Sequence, residues 1–97
     1  MAQPSVLTTN KVSVSNIYNV NYHCTPVNIG FGVVATGSVT YTVQHSFDGI
    51  TWFNNSVASN LSANQDGYYI FPVKYIRINQ TFGTGSVICT LIQAGLV

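Results

Sequence analysis

From Val39 to Asp48 the chain alternates. Val39, Tyr41, Val43, His45 and Phe47 fall on one parity, and Thr40, Thr42, Gln44, Ser46 and Asp48 on the other. A period of two sends the first set to one face of a strand and the polar set to the other. Asp48-Gly49 follows, and Ile50 to Phe53 begin a return. The spacing therefore predicts a hairpin closed by an Asp-Gly turn. It is expected at the centre of the sheet structure, with Trp52 as its largest packing anchor.

The same period marks other segments. Val12, Val14, Tyr18, Val20, Tyr22 and Cys24 share a parity that breaks near Asn16, predicting a bulge or a turn between two short strands. Thr25-Pro26 ends that segment. Val27, Ile29, Phe31, Val33 and Ala35 then share a face, opposite Gly30 and Gly32. Glycines inside a strand mark a bend or the close approach of another backbone. Asn64 to Gly67 reads as a loop or turn, and Tyr68 to Pro72 returns toward the core. Val73 to Gln80 alternates again. Ser86 to Ala94 is nearly continuous apolar sequence, the pattern of a strand covered on both faces.

No apolar stripe at helical spacing extends for three turns. Short strands separated by frequent turn signals predict an all-β fold: a single antiparallel β-sandwich, either a jelly roll or an immunoglobulin-like Greek key. Residues 1–10 read as an extended N-terminal arm, because Pro4 resists central-strand pairing, and residues 11–97 as the sandwich domain.

Composition narrows the partners. Lys11, Lys74 and Arg77 are the cations and Asp48 and Asp66 the anions, a charged share of 5%. Asn, Ser and Thr make up roughly three residues in ten in their place. Three scattered cations form no phosphate-binding patch, so no nucleic-acid partner is expected. Nothing resembles a spanning or surface-lying helix, so no membrane contact is expected. MAQPSVLTTN lacks the basic and apolar regions of a secretory signal, which places synthesis in the cytoplasm. A near-neutral surface repels its own copies weakly, a hint of assembly into dimers or trimers.

Candidate chemistry is sparse. Two His and two Cys match the count of a zinc site, but His23 and Cys24 are adjacent and point to opposite faces of a strand. No metal or cofactor is expected. Cys89 reads as a small buried apolar residue, and a Cys24–Cys89 disulfide would need neighbouring backbones and an oxidising compartment. No nucleophile motif is present, and Asp48 and Asp66 both precede glycine, where a carboxylate shapes a turn. No catalytic residue and no enzyme activity are expected. Ser46 to Trp52 resembles, one residue short, the Asp-box turn of sialidases and related propellers, a motif that shapes a hairpin and is not catalytic. The aromatics Trp52, Phe53, Tyr68, Tyr69, Phe71 and Tyr75 serve either as core and subunit interface or as a stacking platform for a glycan.

The segments VTYTVQHSFDGITWFNNS and DGYYIFPVKYIRINQTFGTGSVICTLIQAG resemble small virion structural proteins of tailed bacteriophages over roughly residues 38–95. That resemblance implies a subunit that decorates and cements a capsid by contacting the major capsid protein or other virion proteins, or else a tail or fibre component. The alternative within the same setting is a carbohydrate- or receptor-binding module. It implies no active-site residue. The contacts it leads one to expect are Ala2, Gln3, Pro4, Ser5 and Val6 of the arm and the aromatic set Tyr68, Tyr69 and Phe71.

Overall fold

The computed structural model describes residues 5–22 and 25–96, with only the backbone for residues 25, 26, 95 and 96. Two antiparallel sheets pack face to face. In the first, β1 (Ser5–Thr9), β9 (Ser86–Leu96), β4 (Thr25–Thr36) and β7 (Gln65–Tyr69) lie side by side in that order. In the second, β2 (Ser13–Val14) and β3 (Tyr18–Asn19) both pair with β8 (Tyr75–Gly83), which is followed by β5 (Val39–Ser46) and β6 (Trp52–Asn54). Taking β2 and β3 as pieces of one interrupted edge, the chain winds as nested pairs. The first strand pairs with the last, the next with the last but one, then β4 with β7 and β5 with β6. That nesting is a jelly roll, which settles the choice between the two sandwich types.

Alternation builds the core. Val27, Ile29, Phe31 and Val33 of β4 meet Tyr41 and Val43 of β5, Ile76 and Ile78 of β8, and Val87, Cys89 and Leu91 of β9. Each such aliphatic side chain contributes about 1.5–3 kcal/mol on burial. Two buried glutamines fasten one sheet to the other. Gln80 of β8 accepts from the Thr9 hydroxyl of β1 at 2.6 Å and donates to the carbonyls of Gly83 and Gly85 at 3.1 Å each. Gln93 of β9 accepts from the Tyr18 hydroxyl at 2.8 Å and donates to the Asn21 carbonyl at 2.8 Å. The β8–β9 hairpin crowds the β4–β5 hairpin closely: a Cβ on Gly83, whose φ is +96°, would lie 2.1 Å from the Ser38 carbonyl oxygen. Only glycine fits there.

Several expectations change. Residues 5–9 of the expected arm are strand β1, with Leu7 and Thr9 buried against the sandwich. The break near Asn16 is present between β2 and β3, but Val12 and Val14 face outward while Ser15 is buried, because Ser15 takes the pairing position on β8 through both its backbone N–H and its hydroxyl. Thr25-Pro26 opens β4 instead of ending a segment. Asn64 to Gly67 runs into strand β7. The polar sequence of β7 hid it, and Gly67 is needed because a Cβ there would sit 2.6 Å from the Phe31 ring. Trp52 is not a core anchor: it lies half-buried on the outer face of the second sheet, and Tyr41 and Tyr69 are the large buried rings. Finally, β9 is covered on one face only.

Candidate functional site

His45 points inward near the end of β5, where β6 and β7 converge, and four rings surround it. Tyr69 and Phe71 meet it edge-on at centroid distances of 5.1 and 5.5 Å, Phe47 edge-on at 5.9 Å, and Phe53 stacks at 6.0 Å. Its Nδ1 lies 2.9 Å from the Tyr69 hydroxyl. The Asn55 side-chain oxygen accepts from the backbone N–H groups of Val57 and Ala58 nearby. Burial pushes Tyr69 up to about 12 and holds His45 below its ordinary value. Both groups are therefore neutral near pH 7.

His45 lines a cleft of about 370 Å³ together with Asn54, Asn55, Ser56, Val57, Tyr68, Ile70 and Phe71. No carboxylate is among those residues, and the depression holding Asp66 contains no histidine. The cleft offers apolar rings and amides, which suits binding rather than acid–base chemistry. Among the described residues no group of three or more His, Cys, Asp or Glu could hold a metal ion; His23 and Cys24 lie outside them. Cys89 is a buried free thiol.

Asp48 does shape its turn. One carboxylate oxygen accepts from Ile50 N–H at 2.8 Å, Thr51 N–H at 2.9 Å and the Ser46 hydroxyl at 3.1 Å. Asp66 does not; it stands exposed on β7 opposite Gly32. The Trp52 ring is no open platform, because the Arg77 guanidinium stacks over it at 4.0 Å and is held there by Nε donating to Gln44 at 2.9 Å.

The second feature is the outer face of the first sheet. Ile88 and Ile92 of β9 are 45% and 50% exposed, and Val34 of β4 51%. Register places Val34 beside Ile88, Gly30 between Ile92 and Tyr68, and Val6 beside Thr90. Above Gly30 and Gly32 there is open space: a Cβ at either position meets nothing within 4 Å. Among the described residues no other backbone makes the close approach expected at these glycines.

Of the expected contact residues, Ala2, Gln3 and Pro4 lie outside the described residues. Ser5 is half-buried at the start of β1, while Val6 and Tyr68 share the outer face. Phe71 is on the cleft rim. Tyr69 cannot touch a partner, since its ring is wholly buried under the cleft. Ile88, Ile92 and Val34 are not among the expected contact residues; the nearly continuous apolar run of β9 carried the signal for the two isoleucines, and nothing in β4 did so for Val34.

No family model matches this chain, and no curated protein matches it. Among solved structures it is similar to a protein from work on Bacillus endospore appendages, described as forming a family of disulfide-linked pili. The TM-score is 0.65 at 11% identity, covering 100% of this chain and 88% of that one. At that identity the likeness shows the fold alone.

Proposed function

We propose that the protein is a non-enzymatic structural subunit that works in many copies. The observation that carries this reading is the bare outer face of the β1–β9–β4–β7 sheet, where apolar side chains surround glycine backbone on an otherwise complete fold. Exposed apolar patches of that kind mark contact surfaces. The shared fold with a pilus protein of Bacillus endospore appendages supports a filament or another repeating assembly of like subunits.

The resemblance of residues 38–95 to tailed-phage proteins supports a finer setting: decoration of a virion surface, with the major capsid protein as partner. Light scattering across about a hundredfold dilution, with negative-stain microscopy of the concentrated sample, tests the multi-copy reading. Concentration-dependent oligomers or filaments are expected. A monomer at every concentration that also fails to co-sediment with empty phage shells would overturn it. Shell binding by the monomer would instead favour decoration.

The His45 cleft favours one further role, a glycan seat, because rings and amides line it together. Tyr68→Ala and Phe71→Ala would then abolish retention on a glycan array while Trp52→Ala would not. Equal loss in all three, or no retention by the wild type, removes that role.

A further inference from the structure

We infer that the outer face of the β1–β9–β4–β7 sheet is covered by the same face of a second copy, with β9 of each copy seated along the glycine trough of the other's β4. This deepens the multi-copy reading above, on which it rests, by naming one of its contacts.

Strand β9 is apolar on both parities. Val87, Cys89 and Leu91 are buried inside, and Ile88 and Ile92 stand outside. A strand with one solvated face ordinarily alternates apolar with polar residues, and near-continuous apolar strands are covered on both sides. The described residues supply only one cover.

The shape of the face points to a like copy. Ile88 and Ile92 form a ridge, and Gly30 and Gly32 on the adjacent strand leave a hollow where an added Cβ meets nothing. Ridge and hollow are therefore neighbours about 4.8 Å apart, as paired strands are. A two-fold axis parallel to the strands and between β9 and β4 keeps the register, so each copy's Ile92 lands over the other's Gly30, Thr90 over Gly32 and Ile88 against Val34, which is the self-complementarity a two-fold contact requires. The order β1-β9-β4-β7 then sets each copy's β7 over the other's β1. At that register Asp66 on β7 comes level with Val6 on the other copy's β1, so the two Asp66 carboxylates lie at opposite rims.

Charge agrees. Asp66 is the one charged side chain among the described residues on this face, while Arg77 and Lys74 belong to the other sheet or its approach. One carboxylate per copy, at opposite rims, repels its copy only weakly and offers a charged partner no cluster of counter-charge. The β4–β9 ladder and its two flanking strands give a flat footprint of about 600 Å², against the roughly 800 Å² per partner of a standard interface. That suits one contact of several in a repeating assembly.

Gly30→Val and Ile92→Glu, each in the full chain, test the contact by sedimentation equilibrium and thermal melting. Valine at position 30 has room in the single chain and suits a strand better than glycine, so its melting temperature should hold or rise. It fills the hollow, however, and self-association should weaken at least tenfold. Ile92→Glu should weaken it similarly, whereas Ile50→Glu, at an 83% exposed turn position, should leave it within twofold. If Gly30→Val associates as tightly as the wild type or more tightly, the face is merely sticky and the proposal fails. If both face variants build wild-type assemblies, the contact is elsewhere and only the multi-copy reading survives. A wild type that never associates overturns this contact, and overturns the multi-copy reading as well if it also fails to co-sediment with empty phage shells.

Discussion

The Thr9 hydroxyl on β1 donates to Gln80 Oε1 on β8 across 2.6 Å, a sheet-to-sheet hydrogen bond made by a glutamine with no exposed surface. The Gln80 amide also serves two glycine carbonyls of the β8–β9 hairpin. Gln80→Leu keeps the volume and removes every one of these partners. Buried groups left unsatisfied cost about 1–3 kcal/mol each, partly offset by the apolar gain. Urea denaturation is expected to show a net loss of about 2–4 kcal/mol; a neutral result would mean that water replaces the amide.

His45 sets an acid limit. The neutral imidazole is packed among four rings, and Tyr69, pushed up to about 12, brings no charge to stabilise an imidazolium. A base held below its ordinary value in the folded state binds fewer protons than the unfolded chain. Its contribution to stability is therefore intact above the unfolded value of 6.5 and is lost as pH falls through the folded value. Melting temperature should fall between pH 7 and pH 5. His45→Gln should flatten that slope while lowering the plateau.

Asp48 organises its turn through backbone N–H groups, and these hydrogen bonds hold its carboxyl below its ordinary value. Asp48→Ala should lower the melting temperature and open the segment 46–52 to limited proteolysis. Asp48→Asn, which retains an acceptor oxygen, should restore most of the protection. Equal cleavage of wild type and Asp48→Ala would show that Gly49 alone suffices for the turn.

Gly83→Ala places a Cβ against the Ser38 carbonyl in a left-handed backbone. The collision and the strain together are expected to cost about 3 kcal/mol or more. Gly30→Ala, in contrast, meets open space. Parallel urea titrations should separate the two by several-fold, and equal effects would mean that the hairpins can part without loss.

The sequence was readable where one face is buried and the other wet. Val27 to Val33 and Val39 to His45 alternate because the sandwich covers one side of each strand, and Asp48 announced its turn because carboxylate and glycine do one local job there. Strand β7 was hidden because its inward positions, Gln65, Gly67 and Tyr69, include one polar side chain and one with none, the latter making room for the Phe31 ring supplied from far away in sequence. Trp52 misled for a similar reason: its partner Arg77 comes from β8 and covers the ring from outside. The aromatic cleft was half legible. Tyr68 and Phe71 were singled out, but the inward turn of Tyr69 toward His45 depends on tertiary pairing that no local pattern encodes.

The buried thiol of Cys89 gives the fold a built-in stopwatch. Burial pushes it up to about 12 and no part of it reaches solvent, so an alkylating reagent, which needs an accessible thiolate, can react only after the sheets separate. In a Cys24→Ser background the labelling rate then reports opening events directly, without a dye or a denaturant. Assembly over β9 should lengthen that time, so one chemical reaction reads both how often a lone chain opens and how far its neighbours hold it shut.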